Sequence, residues 1–479
     1  MAIDFPKEKW RQAVSRLTEA RVDIASLAVF RILFGLLMAA AMVRFLSKGW
    51  VHQLYVEPSF HFSYPGFAWV QPWPGFWMHA HFIALALLAV GVACGFFYRT
   101  CITLFFLGFT YVELIDQTAY LNHYYFISLI SGLMIFLPAN RAWSIDALRK
   151  PELRLETVPA WTLNLLRFQV AVVYFFAGLA KVNADWLLHA QPLRIWLPAR
   201  SDLMLIGPWL NETWVAYAAS WFGAIFDLSI VFFLLNKRTR RPAYACVVLF
   251  HVATWLLFNI GMFPWIMIVS ATLLFAPDWP RAWLTRFAAW ASSRLRPVWP
   301  GHGVRILAAP EQPPHAFTGP TPEAVRASTC RRPLLRRTLA PGLVGAYVIA
   351  QLALPLRSYF SSEPPAWTGA GFNCAWRVML VEKSGYTEFR AFDPTTGRRW
   401  KLSAREYLTR RQEVMMAQDP YLIRAMARRM AADLRECGYP HIQIQADSFA
   451  TLNGRPSQRL INPEFNLAGA GHAWVPMSF

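Results

Sequence analysis

Acidic residues are scarce in this chain, with 28 Asp and Glu against 47 Lys and Arg, and charged residues of both signs make up only 16% of its 479 positions. So little charge speaks against a solvated, charge-rich disordered chain and against an ordinary water-soluble domain. Cysteine is scarce too. None of the six cysteines forms a CxxC pair, which speaks against a thiol-based redox motif or a cysteine-rich zinc site. Cys94, Cys101, Cys246 and Cys330 fall in apolar runs, at a short loop or in a linker, whereas Cys374 and Cys437 lie near the end of the chain. Those two are either a disulfide pair in an oxidising compartment or two unpaired buried thiols. No pattern resembles a zinc site, a phosphate loop or a hydrolase triad, so no metal and no nucleotide chemistry is expected. There is no internal repeat.

What the chain has in abundance is apolar sequence: 56% hydrophobic residues, with 36 Phe and 22 Trp. This composition reads as a polytopic α-helical membrane protein. Apolar runs of about 17 to 23 residues, each enough for a hydrocarbon core of roughly 30 Å, begin near Ala25, Met78, Cys101, Leu121, Leu165, Trp214, Ala243, Met262 and Leu339, which makes about nine spans. The first follows Lys7, Lys9, Arg11, Arg16 and Arg21 and has no small-residue cleavage site after it, so it is expected to be a retained anchor. Trp10, Val14 and Leu17 share one helical face, which fits either an amphipathic helix on the membrane surface or an ordinary solvated helix.

The net charge of +19 raises nucleic acid as a partner, but the distribution of the charge excludes it. Arg141, Arg149, Lys150 and Arg154 fall between the fourth and fifth runs, Lys237, Arg238, Arg240 and Arg241 between the sixth and seventh, and a long Arg-rich stretch between the eighth and ninth. The intervening loops are poor in Lys and Arg. With the N-terminus inside, every basic loop is cytoplasmic, as the positive-inside rule expects. The expected order is a cytoplasmic amphipathic segment (1–24), a transmembrane helical domain (25–290), a mobile Pro/Arg-rich cytoplasmic linker (291–338), a last transmembrane helix (339–356) and an extracytoplasmic α+β domain (357–479).

Within that last domain, Trp376 to Lys383, Thr387 to Phe392 and Arg398 to Leu402 read as strands around the Asp393-Pro-Thr-Thr-Gly397 turn. Ser403 and Glu406 form a capping-box pattern that predicts a helix from Ala404. Another helix is predicted from Asp419-Pro420 to Gly438, with Asp as cap and Pro at the first helical position. His441 to Leu452 alternates and meets an Asn453-Gly454 turn, which predicts a hairpin.

The candidate chemistry centres on Lys181, which ends the apolar run Tyr174-Phe-Phe-Ala-Gly-Leu-Ala180. A lysine there either snorkels to the interface or, since burial disfavours an ammonium, serves as a base. Its neighbours are the relevant context. Leu121-Asn122-His123-Tyr124-Tyr125 begins an inward-going run near the same face, and His251 lies in an outward-going one that ends at Phe258-Asn-Ile-Gly-Met-Phe263. Asp116, Asn122 and Asp185 fall at similar depth. Each is a structural group or part of one polar pocket, and ionisable groups in spans tend to line functional cavities.

At these residues the chain resembles the vitamin K-dependent gamma-glutamyl carboxylases. Tyr174-Phe-Phe-Ala-Gly-Leu-Ala-Lys-Val-Asn-Ala-Asp-Trp186 is similar to that family's catalytic-lysine segment. Ala25-Ser-Leu-Ala-Val-Phe-Arg-Ile-Leu-Phe-Gly35, Asn122-His123, Phe250-His251, Ile260-Gly-Met-Phe263 and Pro277-Asp-Trp-Pro-Arg281 also match, as do Phe372-Asn-Cys-Ala-Trp376-Arg-Val-Met379 and Arg459-Leu-Ile-Asn-Pro463. The membrane part looks like the horizontally transferred transmembrane domain.

The resemblance implies carboxylation of protein glutamate coupled to epoxidation of reduced vitamin K, phylloquinol or menaquinol, with oxygen and carbon dioxide as co-substrates. Lys181 would deprotonate the hydroquinone, and the alkoxide formed on oxygenation would strip the glutamate γ-hydrogen. His123 would serve the carboxylation half, Asn122 and His251 the cofactor, and Phe372, Trp376 and Arg377 the glutamate substrate. The implied partners are a Glu-containing protein or peptide on the outer face, the lipid bilayer and a quinone-reducing protein.

The chain departs from the animal enzymes in three places. Ala180 stands where the first of two adjacent lysines is found, Phe372 replaces a tyrosine, and Cys374-Ala375 replaces a Tyr-Ser pair. The lost hydroxyls keep two other readings open, a quinol epoxidase or oxidase without carboxylation, and a non-catalytic membrane module that binds a peptide or lipid. An Arg- and Ala-rich chain of this compact form looks bacterial, which points to an inner membrane with the C-terminal domain outside.

Overall fold

In the computed structural model, which describes residues 20–258, 260–294, 334–361 and 364–469, the chain divides into two compact units, residues 1–280 with 354–479, and residues 281–353. A helix occupies every place where a span is expected: α1 (Ala25–Ser47), α2 (Phe76–Cys94), α3 (Tyr98–Ile115), α4 (Asn122–Met134), α5 (Ala160–Ala180), α6 (Thr213–Leu235), α7 (Arg240–Leu257) and α8 (Phe263–Ala271), then α9 (Trp279–Arg294) and α10 (Leu334–Leu356). Five of the described helices, α1, α2, α3, α5 and α6, are long and apolar enough to cross a membrane. The expected total of about nine does not follow from the fold. Helix α4 has only 13 residues, α8 has 9 before a 3-10 turn, and α7 opens on Arg240-Arg-Pro242. Most of the predicted amphipathic segment, including Trp10, Val14 and Leu17, and most of the Pro/Arg-rich linker lie outside the described residues.

A two-stranded ribbon sets the start of the bundle. β1 (Arg21–Asp23) pairs antiparallel with β2 (Thr157–Pro159), and Asp23 accepts a hydrogen bond from the first α1 amide at 2.7 Å. Helices α1 and α5 therefore start side by side although they are far apart in sequence. Close helix approach then depends on small residues, because lipid supplies no hydrophobic force between helices. A Cβ on Gly35 would come within 2.5 Å of Ala93 N, and one on Gly178 within 2.9 Å of Leu228 N. The second of these contacts presses α5 against α6 one turn before Lys181.

The C-terminal domain is a four-stranded antiparallel sheet in the order β4-β3-β5-β6, built from β3 (Lys383–Phe392), β4 (Arg399–Leu402), β5 (Gln443–Leu452) and β6 (Gln458–Arg459). Two further helices belong to it, α11 (Arg410–Met416) and α12 (Pro420–Glu436). Ile444, Ala446, Ser448, Ala450 and Leu452 alternate inward on β5, and Ile423, Met426, Ala427 and Met430 line the buried face of α12. The Asp419 carboxylate caps α12 as expected, accepting from Tyr421 N at 2.8 Å. The Asn453-Gly454 turn also forms, with both residues at positive φ, 50° and 77°.

Two expectations fail here. Trp376 to Glu382 forms no strand, because the Trp376 ring is drawn out of the sheet and buried against Tyr125 and Phe126 of α4. Ala404–Glu406 is only a 3-10 turn. The capping box that works is Thr409 with Gln412, at the start of α11.

Polar contacts also join the sheet domain to the helices. The Arg455 guanidinium donates to both Asp185 oxygens, at 2.8 and 2.5 Å, and Asn453 donates to Asp185 at 2.7 Å. These bonds hold the Asp185 carboxyl below the usual carboxylate range. Asp116, expected at the lysine pocket, instead accepts from Gln412 of α11 at 2.7 Å and faces His61 Nδ1 at 3.2 Å. Cys374 and Cys437 are both free thiols. Burial pushes the Cys374 thiol up.

Candidate active site

Lys181 follows the last residue of α5, where the chain must turn. Asn183 makes that turn: its side chain donates to Ala180 O at 2.9 Å and accepts from Trp186 N at 3.0 Å, ending one helix and capping the next. Trp186 is then pinned by its indole N–H on Ser220 O at 2.7 Å. The Lys181 Nζ lies 5.3 Å from the centre of that indole. The Lys-Val-Asn-Ala-Asp-Trp pattern is thus a local device, in which Asn183 caps, Asp185 anchors the sheet domain and Trp186 walls in the amine.

Lys181 is 6% exposed. Its Nζ donates to Asp227 Oδ2 of α6 at 2.7 Å and to Ala177 O at 3.2 Å. It therefore does not snorkel. The pair lines a cavity of about 400 Å³ that also contains Tyr174 and His251 and is otherwise walled largely by Phe222, Phe250, Phe263 and aliphatic side chains. His251 Nε2 and the Tyr174 hydroxyl are 3.0 Å apart, while His251 Nδ1 is buried without a partner among the described residues.

Asn122 and His123 line a second cavity, of about 520 Å³, together with Arg44, Tyr55, Tyr124 and Arg411. The single pocket expected for all four sequence-predicted groups is therefore two. Phe258, Ile260, Phe263, Val378 and Met379 border both. Phe263 stands between the two histidines, its ring centre 6.0 Å from that of His123 and 5.9 Å from that of His251. The Ile-Gly-Met-Phe motif thus forms part of a partition, and Gly261 takes a φ of 63° there, which a glycine adopts without strain.

The other side of the partition comes from the segment expected to engage substrate. Cys374, Trp376 and Met379 have φ of 61°, 57° and 53°, a concentration of left-handed non-glycine residues of the kind that clusters at functional sites. Trp376 is 1% exposed and serves as an anchor in the helix bundle. Arg377 donates through Nε to Ser358 at 3.2 Å, and its guanidinium lies 4.9 Å from the Phe372 ring centre. Asn122 donates to Arg377 O at 3.2 Å, so the sheet domain's leading segment is tied directly to the second cavity.

Two family models account for nearly the whole chain: the HTTM domain matches residues 20–279, and the lumenal domain of vitamin K-dependent gamma-carboxylase matches residues 336–479. The chain belongs to the vitamin K-dependent gamma-glutamyl carboxylase family. No solved structure matches it. Family membership makes this a membrane protein with a C-terminal lumenal-type domain, and both cavities fall where the HTTM helices meet that domain.

Sequence reasoning missed four residues that line the cavities: Asp227, Tyr174, Arg44 and Arg411. Asp227 carried a usable signal, since it is the one charged residue in the apolar run of α6, and such residues mark functional sites. Arg411 carried none, because it reaches the cavity only through the docking of the sheet domain.

Proposed function

We propose that this chain carboxylates glutamate side chains of a protein substrate in a reaction coupled to epoxidation of reduced vitamin K, with Lys181 as the base on the hydroquinone. The observation that carries this is the buried amine itself, held by Asp227 in an otherwise apolar cavity. At about 400 Å³ that cavity is within the roughly 300–1,000 Å³ of small-molecule sites. Its chemistry fits a hydroquinone: aromatic walls for the ring system, an amine to take a hydroxyl proton, and the unpartnered His251 Nδ1 to meet an oxygen. Reduced vitamin K and oxygen together supply the strong base that a glutamate γ-hydrogen requires and no side chain can provide.

The protein's own contribution is then to bind, orient and keep the site dry. Lys181 Nζ, as the neutral amine, accepts the hydroxyl proton at the end of α5, while Asp227 fixes the amine's direction by accepting its N–H and balances the charge of the ammonium that forms. Tyr174 orients His251, and the surrounding phenylalanines exclude water that would quench a strong base. His123 serves the carboxylation half from the adjoining cavity, and Asn122, expected from the sequence to hold the cofactor, lies beside it at the partition.

The test uses purified protein with reduced vitamin K, bicarbonate, oxygen and a Glu-rich peptide. Epoxide together with a mass gain of one carboxyl group is the expected result. Epoxide with unmodified peptide would favour a quinol epoxidase, and neither product would favour a non-catalytic module.

The proposed orientation has the N-terminus in the cytoplasm of a bacterial cell and the sheet domain outside the inner membrane, with a quinone-reducing partner resupplying the cofactor. In a variant whose six native cysteines are replaced by serine, a cysteine placed at Tyr386, which is 62% exposed, is expected to react with a membrane-impermeant maleimide added outside spheroplasts. Labelling only after lysis would reverse the topology.

A further inference from the structure

The segment that separates the two cavities is held at each end by an asparagine from elsewhere in the chain. At one end Asn122 donates to Arg377 O at 3.2 Å. At the other, the Asn453 side-chain oxygen accepts from Glu382 N at 2.9 Å, and the Asn453 amide donates to Glu382 O at 2.8 Å. Between these points lie Val378 and Met379, which border both cavities, and Leu380, buried in one cluster with Ala180 and Trp186 from either side of the lysine. Residues 377–382 belong to no helix or strand, so packing and side-chain ties set their place.

Asn453 does more than its turn requires. The Asn453-Gly454 turn needs only a left-handed backbone at each residue, which glycine supplies as readily. Yet the Asn453 side chain is buried and uses both of its ends, the oxygen on Glu382 N and the N–H on Asp185 Oδ2 at 2.7 Å. Asp185 is on the short helix after Lys181, two residues past the Asn183 cap. One buried amide therefore connects the turn that follows the lysine with the end of the partition. Glu382 extends the connection: its carboxylate accepts from the Trp196 indole N–H, and the Trp196 ring centre is 5.8 Å from that of Phe258, which borders both cavities. Arg455 also holds Asp185, but among the described residues none of its hydrogen bonds goes to Glu382.

We propose that Asn453 is a positioning residue for the reaction: by joining Asp185 to Glu382 it fixes the partition against the turn that carries Lys181, and so sets how the two cavities lie relative to each other. The proposal rests on the carboxylase reading above. An amide suits this place because it accepts on one side and donates on the other without bringing a second charge beside Asp185. With the partition displaced, the lysine cavity still turns over quinol, but the strong base formed there meets water before it meets the glutamate.

The test compares variants of the full-length protein in nanodiscs. Asn453→Gly keeps the turn and loses both side-chain bonds, and Asn453→Asp keeps the acceptor for Glu382 N but sets a carboxylate against Asp185. Combining Asn453→Asp with Asp185→Asn restores the bond with donor and acceptor exchanged. Arg455→Gln weakens the docking contact alone. Carboxyl groups gained by a Glu-rich peptide per epoxide formed are expected to fall about tenfold in both single Asn453 variants, less than the roughly 10²-fold that a 1 Å misplacement can cost, while epoxide formation changes far less. The ratio should recover in the double variant and hold in Arg455→Gln. Hydrogen–deuterium exchange, which needs neither quinone nor peptide, should rise at residues 377–382 in both single Asn453 variants and return in the double variant. An equal fall of the ratio in Arg455→Gln would make Asn453 one docking contact among several, and unchanged exchange at 377–382 would detach it from the partition; either result overturns the proposal. A wild type that forms no carboxylated peptide would sink the carboxylase reading, and the exchange measurement would still decide whether Asn453 holds the partition.

Discussion

Removing the Lys181 amine is expected to lower quinol-dependent epoxide formation by at least about 10²-fold, the lower end of what a positioned general base contributes. The structure changes how that variant must be made. Lys181→Ala alone strands the Asp227 carboxylate in a site where both partners are 8% exposed, and breaking a buried pair from one side costs about 3–5 kcal/mol. A loss of activity in that variant would mix chemistry with stability. The double variant Lys181→Met with Asp227→Leu removes both charges at similar volume, and such replacements are often neutral or stabilising. The expected outcome is a protein that inserts and melts like the wild type but forms no epoxide. Epoxide formation at the wild-type rate in the double variant would remove Lys181 from the mechanism.

The second large effect is expected at His123, and it concerns the ratio of two products. Lys181 and His123 line different cavities separated by Phe263 and the Val378-Met379 pair. His123→Ala should therefore leave the lysine cavity and its Asp227 contact intact. Carboxyl groups gained per epoxide formed are expected to fall at least about tenfold, within the range for loss of one acid–base group, while epoxide formation changes far less. His123→Gln, which better preserves the buried volume, controls for collapse of the cavity. Equal loss of both products in both variants would mean that the partition does not divide the two halves of the reaction.

Much of the frame was legible in the sequence because lipid and water each impose a simple rule. A span needs an uninterrupted apolar run, so the helix positions could be read directly, and α12 announced itself through Asp419-Pro420 and Gly438. Lys181 was visible for the same reason, as a charge at the end of such a run. What misled was local pattern without tertiary context. Trp376 to Lys383 alternates like a strand, but the large Trp376 side chain gains more by leaving the sheet for the ring faces of Tyr125 and Phe126. Ser403 and Glu406 have capping-box spacing, but Thr409 and Gln412 form the box that also reaches Asp116.

The sequence by itself determined that this is a helical membrane protein with an α+β domain at its end, and motif by motif it pointed to the family and to the buried lysine. Those properties follow from hydropathy and short-range spacing, which a chain carries with it. Only the tertiary structure decided that Lys181 is paired with Asp227, that the two histidines face separate cavities across Phe263, and that Arg411 of the sheet domain lines the cavity that holds His123. Each joins residues from distant parts of the chain, and their placement depends on close helix packing at Gly178 and on the docking contacts of Asp116 and Asp185.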